Sequence, residues 1–199
     1  MRDPLLTSNY DYELPGELIA TYPVSPREHA RLLVYKRSDH SITHARFDRI
    51  DDFLPPECAI IFNDTKVIKA RLYGRKESGG TVELLINRPL DAYRVSVYIR
   101  GRVKEGTRLV FDDGVAATVL ARHDDGSREV VFSRGEVNLR FEELLPLLDA
   151  IGHIPLPPYL GREDNSEDER EYQSVFARRE GAVAAPTASL HFSDELFSA

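Results

Sequence analysis

Three polar segments interrupt otherwise apolar stretches of this chain, and they hold the side chains best suited to chemistry. Phe62-Asn63-Asp64-Thr65 closes the apolar run Cys58-Ala-Ile-Ile. The ends of central strands are where α/β proteins gather ligand-binding groups, so Asn63, Asp64 and Thr65 could fix a ribose or a base edge. The plainer possibility is an Asx turn, in which Asn63 bonds its own backbone. In Gly-His-Ile-Pro-Leu-Pro-Pro-Tyr (152–159), Pro155, Pro157 and Pro158 stiffen the chain around His153 and would preorganise it for proton transfer. The competing role is a core histidine under a proline-rich loop. In Ala-Ala-Pro-Thr-Ala-Ser-Leu-His-Phe (184–192), small residues permit close backbone approach just before a helix start, next to Thr187, Ala188 and His191. Backbone N–H groups there could receive an anion, or the segment could be a packing turn.

Other chemistries find no support in the sequence. There is no glycine-rich phosphate loop, GxGxxG, HExxH, nucleophile elbow or paired CxxC. The six histidines have no metal-ligand spacing, so no metal is expected; His40 and His44 straddle a turn and read as surface residues. The single cysteine, Cys58, reads as a small apolar core residue rather than a nucleophile. It cannot form an internal disulfide, which fits a reducing compartment. No apolar run approaches the roughly 18 residues of a membrane helix. The charged N-terminal segment does not look like a signal peptide. A soluble, cytoplasmic protein without membrane partners is the expectation.

Charge is unevenly distributed. Residues 69–110 carry ten Lys or Arg and four acids, whereas the whole chain has 26 bases, 33 acids and a net charge of −7. A basic island in an acidic chain is the footprint of a docked polyanion, although arginines and lysines also guard strand edges against pairing.

These segments need elements to hold them. A short helical turn is expected around Leu14, Leu18 and Ile19, then a strand at 31–37, a turn at 38–41 and a second strand. Another helical turn at 48–57 should lead into a buried strand at 58–63. From residue 69 the texture becomes a succession of short β-rich runs separated by SGG, RPLD, KEG and two DDG turns. Such spacing suggests a small barrel or sandwich. Helical periodicity returns at 139–148. The acidic run at 162–171 reads as a loop or an exposed helix start, and 171–179 as a helix with Tyr172, Val175 and Phe176 on one side. Ser193 looks like the N-cap of a last helix.

Four segments carry a family resemblance: DYELPGELIATYPVSPREHARLLV, IIFNDTKVIKARLYGRKESGGTVELL, IGHIPLPPY and EYQSVFARREGAVAAPTASLHF. In this order they resemble the S-adenosylmethionine:tRNA ribosyltransferase-isomerases of queuosine biosynthesis, over about residues 10–197. The resemblance implies an α/β domain, incomplete at its C-terminus and formed by 1–68 plus 151–199, with an inserted small β-barrel domain at 69–150. It implies an enzyme that transfers and isomerises the ribosyl moiety of S-adenosylmethionine onto 7-aminomethyl-7-deazaguanine in tRNA. The products would be epoxyqueuosine-tRNA, adenine and methionine. S-adenosylmethionine would be a consumed co-substrate, with no further cofactor.

That chemistry needs a base for a proton beside the sulfonium, an acid for departing adenine and a neutral attacking amine. On this reading His153 or His191 transfers protons, and Asp64 and Asn63, beside Thr65, position ribose or adenine. Arg71, Arg75 and Arg100 hold tRNA phosphate or the methionine carboxylate, and Thr187 and Ala188 shape the pocket. Two departures stand out. Ser189 replaces the glycine usual after APTA, so the turn there would adopt positive φ less readily. The family also continues well past the LHF motif, whereas this chain ends at Ala199. The alternative is therefore a catalytically incomplete fragment that retains only tRNA binding. An unrelated hydrolase using either histidine would instead release adenine without tRNA.

Overall fold

The computed structural model describes residues 3–198; Met1, Arg2 and Ala199 lie outside them. The centre of the molecule is a closed, all-antiparallel barrel. Its strands are β4 (Arg71–Lys76), β5 (Thr81–Pro89), β6 (Arg94–Arg100), β7 (Arg108–Val110), β8 (Val115–Arg122) and β9 (Arg128–Arg134). They pair in the order β9-β6-β5-β4-β7-β8, and β8 closes the ring on β9. Before them come the hairpin β1 (Arg31–Lys36) and β2 (Ser41–Arg46), and β3 (Thr65–Val67). After them come β10 (Val137–Asn138), β11 (Arg179–Ala182) and the helices α1 (Phe141–Ile151), α2 (Ser166–Glu171) and α3 (Asp194–Ser198).

Alternation makes the barrel. In β5, Val82, Leu84 and Ile86 point inward and are buried, while Thr81, Glu83 and Leu85 face out. Val115, Ala117, Val119, Val130 and Phe132 fill the interior from the opposite wall. Helix α1 adds Leu144 and Leu148 to this core. The β7–β8 connection is the expected DDG turn, with Asp113 and Gly114 both at positive φ (55° and 71°). Mixed α/β content with a closed small barrel is thus what the sequence suggested.

A second apolar centre gathers residues distant in sequence. Phe62 stacks on Phe176 at 4.0 Å between ring centroids, and Phe192 meets both edge-on, with Phe47 and Phe197 at the margins. Nearby, β3 and β11 pair in parallel. The Gln173 side chain caps this pair, donating to the Val67 carbonyl (2.7 Å) and accepting from its N–H (2.9 Å). No helix among the described residues is long and apolar enough to cross a membrane.

Two expectations about these outer elements are corrected. Residues 58–63 are not a buried strand: the segment has no strand partner, Cys58 is exposed, and Ile61 is 94% exposed. Apolar residues are buried only where another layer covers them, and none of the described residues covers Ile61. Residues 172–178 do not continue α2. The helix stops at Glu171, which frees Gln173 to serve β3 and lets Phe176 join the aromatic cluster. The terminal helix, in contrast, is capped as expected, with Leu196 N–H donating to Ser193 Oγ (3.2 Å).

Candidate functional site

The proline-rich segment is fastened directly to the barrel. His153 N–H donates to the Arg71 carbonyl (2.8 Å) and Arg71 N–H donates to the His153 carbonyl (3.2 Å), which adds one rung beside the start of β4. Gly152 makes this approach possible, because a Cβ there would overlap the carbonyl oxygens of Lys69 and Leu148. The His153 ring lies 2.9 Å through Nδ1 from Asp164 Oδ1, and Asp164 Oδ2 accepts from Ile154 N–H (2.9 Å). Its other contact is edge-on to Tyr73, with centroids 4.9 Å apart. Asp164 therefore orients the imidazole while leaving it partly exposed.

Beyond His153, Pro155 and Pro157 wall a cavity of about 420 Å³. Tyr22, Tyr159 and Tyr172 supply aromatic faces, and Arg27, Glu171 and His191 supply polar ones. Volume and a mainly apolar lining with a few polar groups match the range of small-molecule pockets. The wall is held by Arg162, whose guanidinium makes a bidentate pair with Asp168 (2.6 and 2.7 Å). Arg162 Nε donates to the Thr21 carbonyl (2.8 Å), and its guanidinium lies 4.2 Å from the Tyr22 ring centroid. Hydrogen bonding to Arg162 holds the Asp168 carboxyl below the usual aspartate range. Arg27 ties the end of α2 to the same wall, donating to the Gln173 carbonyl (2.8 Å) and lying 3.4 Å from Glu171.

His191 lines the cavity with its ring centroid 5.3 Å from that of Phe47. Partial burial lowers its pKa below the ordinary 6.5, partly offset by a hydrogen bond to the Arg27 backbone. The ring is therefore neutral near pH 7 and able to accept a proton. Burial likewise pushes the Tyr172 phenol up, so it remains protonated.

A groove of about 410 Å³ adjoins the cavity and shares Pro155, Pro157 and Ala184 with it. Arg71 and Arg100 line its barrel side on either flank of Glu83, at 3.0 and 3.8 Å. Arg71 also donates to the Leu156 carbonyl (2.8 Å), clamping the proline segment. A third, mainly apolar depression of about 570 Å³ lies behind the Thr187 turn and is lined by Asn63, Thr187, Ala188 and the exposed Ile60 and Ile61.

The structure thus brings His191 and Thr187 to the cavity and Arg71 and Arg100 to the groove, but not the remaining candidates. His153 lies against Tyr73 and lines neither the cavity nor the groove. Asn63 is engaged in an Asx turn, accepting from Thr65 N–H (2.7 Å) at the start of β3. The Asp64 carbonyl accepts from the Arg178 and Arg179 N–H groups, and its carboxylate lies 3.6 Å from Arg179. Arg75 is exposed at the far end of β4. Ser189, expected to strain its turn, is not at positive φ and donates to the Pro186 carbonyl (3.1 Å). Sequence reasoning missed Tyr22, Arg27, Arg162 and Asp164. The one local signal was Asn165 three residues before Asp168, a capping-box spacing that marks this acidic run as a folded helix start.

A closed antiparallel barrel beside a parallel strand pair, with a proline-walled cavity alongside, defines a mixed α/β protein. The family model described as queuosine biosynthesis protein matches residues 7–199. This chain belongs to that family. It is 60% identical over 191 residues to a protein of Sulfurimonas denitrificans, covering 96% of this chain and 56% of the relative. It is 57% identical over 196 residues to one of Campylobacter fetus, covering 98% and 58%. Both relatives are named S-adenosylmethionine:tRNA ribosyltransferase-isomerase. This chain spans little more than half their length. A crystal structure of S-adenosylmethionine tRNA ribosyltransferase from Thermotoga maritima is 31% identical, covering 95% of this chain and 52% of that one with a TM-score of 0.35.

Proposed function

We propose that this chain serves the reaction for which its relatives are named. The ribosyl moiety of S-adenosylmethionine is transferred to the 7-aminomethyl group of a 7-deazaguanine in tRNA and isomerised, leaving epoxyqueuosine-tRNA, adenine and methionine. One observation carries the reading: the GHIPLPPY and APTASLHF segments that bear the family resemblance both line the 420 Å³ cavity. S-adenosylmethionine is the occupant proposed for it. The faces of Tyr22, Tyr159 and Tyr172 suit adenine and the sulfonium cation, and Glu171 suits a positive charge.

In this assignment neutral His191 takes the proton beside the sulfonium. His153, oriented by Asp164 and outside the cavity lining, is assigned a positioning role, since its backbone pins the proline segment that walls the cavity to β4. Thr187 shapes the cavity wall, Ala188 lines the depression behind it, and Arg71 with Arg100 faces the tRNA. Asn63, Asp64 and Thr65 act indirectly, by fixing the β3 entry. The barrel is proposed to be an insert, a reading supported by the parallel pairing of β3 and β11, which flank it in sequence. Substrates of this kind point to the cytoplasm.

Ile60 and Ile61, apolar yet exposed, favour a second reading, in which the 199-residue chain binds tRNA but does not turn over alone. Adenine release on mixing the chain with S-adenosylmethionine and tRNA bearing the aminomethyl base decides between them. Release that depends on tRNA and is lost in His191→Ala supports the enzyme assignment. Binding without release supports the second reading, and release without tRNA overturns both.

A further inference from the structure

The outward face of β4–β5–β6 carries an arrangement that the reaction chemistry does not account for. Register aligns Tyr73 with Glu83 and Glu83 with Arg100; the next row is Arg71, Leu85 and Tyr98. Residues directly opposite one another across a ladder share a face. Tyr73 and Tyr98 are 44% and 42% exposed, where an aromatic ring gains nothing from the barrel core on the other side of the sheet. Ideal strand spacing puts their backbones about 12 Å apart, diagonally across one intervening strand.

Cations border this pair of rings. Arg100 is 88% exposed, and Arg75, Arg102 and Lys104 are exposed at the same end of the barrel. Lys76 Nζ donates to the Arg102 carbonyl there (3.3 Å), and Arg108 lies 3.2 Å from Glu77. Six cations, Arg75, Lys76, Arg100, Arg102, Lys104 and Arg108, thus meet three acids, Glu77, Glu83 and Glu105. At its opposite end the face runs into the groove lined by Arg71 and Tyr98, which shares walls with the cavity.

We propose that this face is a binding surface for unpaired RNA nucleotides, in which Tyr73 and Tyr98 each stack a base and Arg75 and Arg100 contact the flanking phosphates. Aromatic faces set among cations suit a single strand, whose bases are free to stack. A duplex keeps its bases stacked on one another and offers only its backbone. The proposal rests on tRNA being the polyanion of the proposed function, and it adds which part of the RNA is held and by which side chains. The strand would cross the face from the basic end towards the groove, bringing an unpaired target base beside the cavity.

The test uses the intact chain with two RNA probes of equal length, an anticodon stem-loop and a fully paired duplex, titrated at several salt concentrations. The stem-loop should bind more tightly than the duplex. Tyr98→Ala and Tyr73→Ala should each weaken stem-loop binding about 5- to 150-fold with little change for the duplex. Tyr98→Phe and Tyr73→Phe should restore it, since the ring is kept. Arg75→Ala should reduce the logarithmic salt slope by roughly 0.7, one single-strand phosphate. Thermal melting confirms that each variant is folded; Tyr98, the ring remote from His153, is the cleaner probe. Equal binding of both RNAs, or folded Tyr→Ala variants with unchanged stem-loop affinity, would overturn the proposal even if adenine is released. Tyrosine-dependent binding without adenine release would leave it standing while the catalytic assignment fails.

Discussion

Gly152 is one of the least substitutable positions near the site, because a Cβ there would meet the Leu148 carbonyl oxygen at 2.6 Å as well as the Lys69 backbone. Gly152→Ala must push β4 away from the end of α1 and break the paired Arg71–His153 bonds. The expected outcome is a destabilisation of about 1–3 kcal/mol, as for overpacked sites generally, measured by denaturant unfolding. A second expectation follows from His191. Its pKa is lowered from 6.5, so the folded protein favours the neutral ring. Stability from this group is fully present above 6.5 and is lost as pH falls through the lowered folded value. If His191 accepts a proton, the rate should fall over the same acidic range, and His191→Ala should flatten that limb of the pH–rate profile. Both histidines were legible as candidates, because each interrupts an apolar segment. Their separation was not: one faces the cavity and the other Tyr73, and that depends on how 152–159 docks against β4.

Helix α2 has only six residues, too few for a stable helix on its own. It persists because Asn165 caps it and Arg162 grips Asp168 with both terminal nitrogens. Asp168→Ala would leave the guanidinium without its partner in a mostly buried position, at a cost of about 3–5 kcal/mol. Because Arg162 also holds Thr21 and Tyr22, the loss should loosen the cavity wall, measurable as weaker S-adenosylmethionine binding in calorimetry alongside a lower melting temperature. The acidic run looked solvated in the sequence, since charge density alone cannot reveal that one of its carboxylates is turned inward. The barrel strands were easier to read. Alternation in β5 and the glycine turns are local signals, and the structure keeps both, whereas β6 and β8 each bury three residues in a row.

At the scale of the whole molecule, the two apolar centres differ in how completely they are covered. Leu84 lies within the closed barrel with no exposed surface, and Leu84→Ala should cost about 2–5 kcal/mol in chemical unfolding. Ile61, although just as apolar, stands almost wholly in solvent, so Ile61→Ser should change stability by less than about 0.5 kcal/mol. It should instead reduce self-association seen by light scattering, because an exposed apolar patch invites contact. Taken alone, the sequence determined a small β-rich module, the helix after it and the terminal cap; the resemblance of its motifs added the barrel and the family. Each depends on signals only a few residues long or on matches to a shared pattern. Tertiary structure alone decided that residues 58–63 are uncovered and that Arg71 and Arg100 join a groove while Arg75 does not. The reason is physical: burial and proximity depend on what lies opposite a residue in space, and that partner is set by packing rather than by its neighbours along the chain.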